Sequence, residues 1–259
     1  MDGPAYWGIA GNPISHSLTP RLFSIVGASL GIGPAEQVFI TATSIEEFES
    51  GVSSLEGEIW LSCTAPLKHS PQSRLGVYGP DGVNAINQLK RSNGEWTGTS
   101  TDGTGFVSAC QHIGIEPSGA VLRMKGGGSA ARSIAASWSS EGGSIIPEAG
   151  RRELVSGPWD GSILWHGDAD LAIDLDASPA GGASVEMDAK MQVSISYGSG
   201  TPSDAFAVVM VVAQHLEAWK SLFAPSKEEE MPSLQEVLSA LGFTEGGFRA
   251  TSGGPTPFS

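Results

Sequence analysis

The chain is poor in cysteine, in positive charge and in long apolar runs. Its two cysteines, Cys63 and Cys110, are too few for a disulfide framework in 259 residues, which favours a reducing compartment. Lysine and arginine total 14 against 28 acidic residues, and the formal net charge of −14 opposes binding to nucleic acid and to anionic lipid. The longest apolar run, residues 205–213, is far shorter than the about 20 residues of a membrane span. The N-terminal residues lack the basic and apolar regions of a secretory signal, so we expect a cytoplasmic protein without membrane or nucleic-acid partners.

The material that is present suffices for a packed core. Hydrophobic residues make up 40% of the chain and charged residues 16%, which excludes disorder throughout. A chain of 259 residues fits one large domain or two small ones. The 35 glycines lack the every-third-residue period of collagen and indicate tight turns and backbone-lined sites.

The first part of the chain alternates between strand and helix patterns. Apolar runs predict strands at 6–10, 37–42 and 58–63. Thr19-Pro20 predicts the start of a helix, and Ser44 with Glu47 forms a capping box that predicts a helix over 45–54. This alternation is typical of a parallel α/β sheet. Further along, Asn93-Gly94 predicts a hairpin turn.

A second α/β unit begins near residue 120, after a predicted helix over 103–113. The apolar patterns predict strands at 121–124, 144–146, 163–165, 170–176 and 191–197. The same patterns predict helices at 206–223 and 233–241. Because few helices separate these strands, we expect an abbreviated second sheet.

A glycine loop opens the second unit. Gly126, Gly128 and Ala131 fit the G-x-G-x-x-[GA] fingerprint between a strand and a helix, which predicts dinucleotide binding. Glycine lets the backbone approach a pyrophosphate, and the helix N-terminus offers free N–H groups. Arg123 lies in the preceding strand, where an apolar residue is expected. The predicted phosphate-binding residues are Gly126, Gly127, Gly128, Ser129, Ala130, Ala131 and Arg132.

The residues that would choose between NAD and NADP point in both directions. An acidic residue about 20 positions beyond the loop binds the ribose hydroxyls of NAD, whereas an arginine there accommodates the 2′-phosphate of NADP. Glu148 stands at this position and favours NAD, while Arg151 and Arg152 follow closely and favour NADP. The sequence leaves both cofactors open.

Polar segments follow the predicted strands of the first unit, where ligands bind in open α/β sheets. With the glycine loop they resemble, in order and spacing, five segments of the shikimate dehydrogenase family. These segments are residues 11–20 (GNPISHSLTP), 64–68 (TAPLK), 82–86 (GVNAI), 100–103 (STDG) and 126–132 (GGGSAAR). Residues 176–181, 197–202 and 210–214 resemble later motifs of that family, so the resemblance spans roughly residues 6–220.

The resemblance implies a role for each matching residue. Lys68 and Asp102 would form the catalytic pair, with Lys68 exchanging a proton with the substrate oxygen and Asp102 orienting it. The implied substrate-binding residues are Ser17, Thr19, Thr64, Lys68, Asn84, Asp102, Tyr197 and Gln214. The implied cofactor site adds Ser178 to the glycine loop, Glu148 and Arg151. No metal site is implied.

The resemblance also implies the fold, which is α/β with two domains. An N-terminal α/β substrate domain would cover residues 1–103, and a Rossmann-like dinucleotide-binding domain would cover residues 104–205. The C-terminal helix, within residues 206–245, would return to the substrate domain, and residues 246–259 would form a flexible tail.

The implied activity is the reversible, NADPH-dependent reduction of 3-dehydroshikimate to shikimate, in the shikimate pathway of aromatic amino acid biosynthesis. NADP is the expected cofactor and NAD the alternative. Two other functions stay open: an NAD-dependent quinate/shikimate dehydrogenase, and a non-catalytic relative that binds ligand without turnover. We expect a small-molecule substrate and a monomer or homodimer.

Overall fold

The computed structural model describes residues 3–177, 184–198, 201–202 and 205–242. Within these residues the chain forms two sheets. The strands of the first sheet are β1 (Tyr6–Gly11), β2 (Glu36–Thr41), β3 (Ile59–Cys63), β4 (Gln88–Ser92) and β5 (Glu95–Thr99). Those of the second sheet are β6 (Val121–Lys125), β7 (Ser144–Glu148), β8 (Leu171–Asp174) and β9 (Met191–Val193).

Helices connect these strands and follow the second sheet. They are α1 (Thr19–Ser29), α2 (Ile45–Val52), α3 (Pro71–Arg74), α4 (Asp102–His112), α5 (Ser129–Ser140), α6 (Phe206–Ala218) and α7 (Leu234–Gly242). A π-helical turn, Trp219–Phe223, continues α6, and 3-10 turns lie at Leu67–His69, Asp160–Ser162 and Pro225–Glu230. None of the helices in the described part of the chain is long and apolar enough to cross a membrane.

The first sheet has the order β2-β1-β3-β4-β5, with β1 parallel to β2 and β3, and β4 antiparallel to β3 and β5. Proline at the start of α1 and the Ser44 side chain, which accepts the Glu47 N–H, begin the two predicted helices. Asn93 and Gly94 both have positive φ and form the predicted two-residue hairpin between β4 and β5.

The second sheet has the order β7-β6-β8-β9 and is parallel throughout. The strand predicted at 163–165 is wrong: Ile163 forms a single bridge to Ile145, and Trp165 is 84% exposed. The strand predicted at 191–197 is shorter and ends at Val193. A 3-10 turn is the one helical segment between β7 and β8, so the second sheet is abbreviated as predicted.

The last helices return to the first sheet. α6 packs against α4 and α1, α7 packs against α1 and α6, and the π-helical turn packs against β4 and β5. The aromatic side chains of Phe23, Trp60, Trp219 and Phe223 pack against one another in this interface. The predicted fold class, two α/β units with a returning C-terminal helix, is therefore confirmed. The predicted domain boundaries stay a prediction, and the tail predicted at 246–259 lies outside the described residues.

Candidate active site

A cavity of about 120 Å³ lies where the two sheets meet. Residues at the ends of β1 and β3, the starts of α4 and α5, and one side of α6 form its walls. Six of the eight predicted substrate-binding residues line it: Ser17, Thr64, Lys68, Asp102, Tyr197 and Gln214. Ala130, from the first turn of α5, lies in the same wall and connects the cavity to the glycine loop.

Lys68 and Asp102 form an ion pair across this cavity. The Lys68 Nζ lies 2.6 Å from the Asp102 Oδ2. The Asp102 side chain is 3% exposed and that of Lys68 is 18% exposed, so the ammonium group is the more accessible partner. Lys68 is held in a 3-10 turn, and its carbonyl oxygen accepts the Ile86 N–H at 2.7 Å. Asp102 is the first residue of α4, where the helix dipole favours a carboxylate.

The second oxygen of Asp102 is also held, by a residue that the sequence motifs did not identify. The Asn87 Nδ2 donates to the Asp102 Oδ1 at 3.0 Å, and the Asn87 Oδ1 accepts the Thr101 N–H at 2.7 Å. Asn87 is 2% exposed. The family segment G-A-V-N could have found it, because Ala85-Ile86-Asn87 matches the last three positions as well as residues 82–84 do.

Asn84 and Thr19, both predicted to bind substrate, do not line the cavity. Asn84 occupies a turn with a φ of 50°, and its carbonyl oxygen accepts a hydrogen bond from Arg132 Nη2 at 2.8 Å. The asparagine that contacts Asp102 is therefore Asn87, three residues after Asn84, and substrate binding by Asn84 stays a prediction. Thr19 is buried at the start of α1, and its N–H donates to the Ser17 Oγ at 3.2 Å.

Ser17, Tyr197 and His16 form one polar corner of the cavity. The Tyr197 side chain interacts with the Ser17 hydroxyl and the Leu18 backbone, and its ring centroid lies 5.5 Å from that of His16. Burial raises the pKa of Tyr197 and lowers the pKa of His16, so a protonated phenol and a neutral imidazole are favoured. The corner thus offers hydroxyl donors without a fixed positive charge.

Gln214 reaches the cavity because α4 and α6 pack closely. A Cβ on Gly105 of α4 would lie within 2.5–2.6 Å of Gln214 atoms, including its backbone N and Cα, so only glycine permits this approach. The Gln214 Oε1 lies 3.5 Å from the Asn87 Nδ2. Gln214, to which the resemblance assigns substrate binding, therefore lines the same cavity as Lys68 and Asp102.

The glycine loop has the geometry of a phosphate-binding turn. Gly126 has a φ of 101°, which other residues rarely adopt, and Gly128 caps α5 in an extended conformation. A Cβ built on Gly128 meets nothing within 4 Å, which leaves room for a ligand against the helix N-terminus. A Cβ on Gly127 would lie 1.9 Å from the Glu153 carbonyl oxygen, so residues 150–154 pack over the loop.

The charged residues predicted at the cofactor site have different environments. Arg132 donates to the carbonyl oxygens of Val83 and Asn84 at 2.8 Å, and its pKa is lowered by burial and then by the charge of Arg152. The Arg151 Nη2 donates to the Asp176 carbonyl oxygen at 2.9 Å. Glu148 pairs with Arg123. Ser178 lies outside the described residues.

Other reactive side chains do not extend the site. No group of three or more His, Cys, Asp and Glu side chains suited to a metal ion occurs in the described ranges. Burial raises the pKa of both Cys63 and Cys110 to about 12, which makes the thiolate forms unfavourable.

Comparison with known proteins finds shikimate dehydrogenases both by sequence and by fold. No family model matches the chain. A curated shikimate dehydrogenase (NADP(+)) from Geobacter sulfurreducens is 30% identical over 148 residues, which are 56% of this chain and 51% of that relative. The predicted resemblance to shikimate dehydrogenases is confirmed. The chain spans about half the length of the curated shikimate dehydrogenases it matches.

Two solved structures match nearly the whole fold. Shikimate dehydrogenase 1 from Peptoclostridium difficile has a TM-score of 0.71 at 17% identity, covering 94% of this chain and 98% of that chain. Shikimate 5-dehydrogenase from Thermus thermophilus, solved in complex with NADP(H) and shikimate, has a TM-score of 0.70 at 18% identity, covering 91% and 97%. At these identities, the matches establish the two-unit fold of the shikimate dehydrogenase structures.

Proposed function

We propose that this protein is an NADP-dependent shikimate dehydrogenase, an oxidoreductase that acts on a CH–OH group. The observation that carries the proposal is the Lys68–Asp102 pair, 2.6 Å apart, in a cavity that also contains the first turn after the glycine loop. A proton-exchanging group therefore lies beside a candidate dinucleotide site. This combination is what the reversible reduction of a ketone to a secondary alcohol requires.

The polar groups of the cavity suit a small polyhydroxylated acid. Ser17 and Tyr197 lie together in one corner and offer hydroxyl donors for a carboxylate. Thr64 and Gln214 present hydrogen-bonding groups for the substrate hydroxyls. The cavity volume of about 120 Å³ suits a small substrate.

Lys68 is the group that would exchange the proton. Both oxygens of Asp102 are already engaged, one by Lys68 and the other by Asn87, so this carboxylate orients the ammonium group. The Lys68 ammonium has three N–H donors, and Asp102 accepts one. In the reduction, Lys68 would donate a proton to the substrate oxygen and stabilise the negative charge that develops there.

The glycine loop fits a dinucleotide. Gly128 leaves open space at the N-terminus of α5, where the pyrophosphate would bind the free N–H groups. When bound, the nicotinamide ring supplies or accepts the hydride. Arg152 is exposed and makes no ion pair within the described residues. Burial lowers the pKa of Arg132, and the positive charge of Arg152 lies close enough to lower it further. A free guanidinium beside the loop in a protein of net charge −14 supports a cofactor with an additional phosphate, which is NADP.

The test is turnover of shikimate with NADP, followed by the absorbance of NADPH. The wild-type protein is expected to turn over, and Lys68→Ala is expected to lower kcat by about 10²–10⁴-fold because the proton donor is lost. Lys227→Ala is the matched control: it removes a lysine whose ion pair with Glu230 lies on a C-terminal 3-10 turn, and it is expected to leave kcat unchanged.

Three results would contradict the proposal in different ways. Faster turnover with NAD and quinate would replace it with a quinate/shikimate dehydrogenase. Ligand binding without turnover, unaffected by Lys68→Ala, would indicate a non-catalytic relative. Equal losses in Lys68→Ala and Lys227→Ala would remove Lys68 from the chemistry. The assignment of residues 1–103 to substrate and 104–205 to cofactor, and a monomeric or dimeric state, stay predictions.

A further inference from the structure

Arg123 lies inside β6, the strand that leads into the glycine loop, and each of its three guanidinium nitrogens has a hydrogen-bonding partner. Its Nη1 lies 2.5 Å from the Glu148 Oε1, and its Nε and Nη2 donate to the carbonyl oxygens of Asp188 and Gly167, each at 2.8 Å. The Arg123 side chain is 14% exposed. Three acceptors on three different segments therefore fix the position of this charge.

The ion pair with Arg123 determines the direction in which the Glu148 carboxylate points. Glu148 ends β7 opposite Lys125, whereas Arg123 is opposite Ile146, two residues earlier along the strands. The Glu148 carboxylate therefore points back along the strands, toward an arginine whose backbone lies about 7 Å before the carboxyl end of the sheet. Lys125, its direct neighbour, pairs instead with Asp174 at 3.6 Å. At the carboxyl end of this strand a free carboxylate would accept the ribose hydroxyls of NAD and repel a 2′-phosphate.

We propose that Arg123 determines cofactor specificity: by holding Glu148 back and neutralising its charge, it makes the adenosine subsite prefer a 2′-phosphate to a free ribose hydroxyl. The inference rests on the proposed dinucleotide site. Arg152 has no ion pair in the described part of the chain and follows Glu148 closely in the next loop, where it would bind the phosphate. Arg123 touches neither substrate nor cofactor, so it is a positioning residue.

The experiment measures the dissociation constants of 2′,5′-ADP and 5′-ADP by calorimetry, without substrate or turnover. The wild-type protein is expected to prefer 2′,5′-ADP. Arg123→Met frees Glu148 and is expected to reduce this preference at least tenfold, mainly by weakening 2′,5′-ADP. Arg123→Met combined with Glu148→Gln removes both charges and is expected to restore the preference to within about threefold of wild type, an interaction that only a coupled pair shows.

Two further variants keep the test decisive. Arg74→Met is the matched control, since Arg74 pairs with Glu46 and Glu49 in the first sheet unit, and it is expected to leave both constants unchanged. If Arg123→Met does not fold, Arg123→Lys keeps the charge without the planar fork and is expected to reduce the preference about threefold or more. Folding of each variant is checked by circular dichroism.

The outcomes separate this inference from the proposed function. An equal loss of affinity for both ligands in Arg123→Met, or a double variant that stays unselective, would overturn the role of Arg123. A wild-type protein with no preference for 2′,5′-ADP would overturn it as well. Selective binding that responds to Arg123→Met, without shikimate turnover, would instead uphold the inference while the proposed activity fails.

Discussion

At the scale of single residues, the sequence predicted the Lys68–Asp102 pair but did not decide between Asn84 and Asn87 as its neighbour. Two motifs of the family, residues 64–68 and 100–103, placed Lys68 and Asp102 together, and the structure joins them at 2.6 Å. Asn84 and Asn87 are three positions apart in similar local sequences, so the motif alone does not decide between them. Only the backbone shows that Asn84 turns away while Asn87 faces Asp102.

Asn87→Ala tests whether Asn87, rather than Asn84, supports the Lys68–Asp102 pair. The change removes the hydrogen bond to the Asp102 Oδ1 and leaves the buried Thr101 N–H without its acceptor, so we expect a loss of about 1–3 kcal/mol in the free energy of unfolding. We also expect kcat with shikimate to fall at least tenfold, because Asp102 is no longer oriented. Steady-state kinetics and urea unfolding measure both. Asn84→Gly, which suits the positive φ, should leave kcat unchanged; the opposite pattern would restore the original assignment.

His215 makes stability depend on pH. It is 2% exposed, its Nε2 accepts the Trp219 Nε1–H at 3.0 Å, and burial lowers its pKa to about 3. Below about pH 6.5 this histidine is protonated in the unfolded chain but stays neutral in the folded chain until the pH approaches 3. The stabilisation is therefore complete above about pH 6.5 and is lost toward pH 3 by about 1.4 kcal/mol per pH unit.

His215→Gln is expected to remove this contribution while keeping an acceptor for Trp219. Urea unfolding at about pH 7.5, 6 and 5 would show a shallower loss of stability for the variant than for the wild type. His112→Gln, at an exposed histidine, is the control and should follow the wild type. Parallel curves for all three proteins would mean that His215 does not contribute.

At the scale of elements, the sequence predicted most helices and strands correctly, but it predicted a strand at 163–165 that the structure lacks. Capping residues such as Ser44 and the Asn93-Gly94 turn act locally, so their effects can be read from the sequence. The 163–165 segment is apolar like a strand, yet Trp165 is exposed and Trp159 is the buried tryptophan of this connection. Which of two nearby tryptophans enters the core depends on the chain path over the second sheet.

Trp159→Ala is expected to destabilise the protein by about 3–5 kcal/mol, because removing a large side chain that is 1% exposed would leave a cavity in the core. Trp165→Ala is the matched control and is expected to change stability by less than about 0.5 kcal/mol. Chemical denaturation of both variants gives the comparison. Equal effects would show that Trp159 does not anchor this connection.

At the scale of the whole molecule, the net charge does not determine which ligands the glycine loop can bind, because positively charged side chains lie beside the loop. The chain carries a net charge of −14, which disfavours anionic ligands, yet Arg132, Arg151 and Arg152 lie on or beside the glycine loop. The sequence left Glu148 as an indication of NAD and left Arg151 and Arg152 as indications of NADP. We propose that the Arg123–Glu148 ion pair, which joins two strands, decides between these two indications. A contact between strands cannot be read from a local sequence pattern.

We propose that this protein transfers a hydride between NADP and C3 of shikimate, the carbinol carbon that becomes the ketone of 3-dehydroshikimate. The most direct measurement is to supply shikimate carrying deuterium at that carbon, together with unlabelled NADP, and to determine the mass of the reduced cofactor. We expect NADPH that is one mass unit heavier than with unlabelled shikimate, formed far more slowly by Lys68→Ala. Unlabelled NADPH, or none at all from the wild-type protein, would contradict the claim.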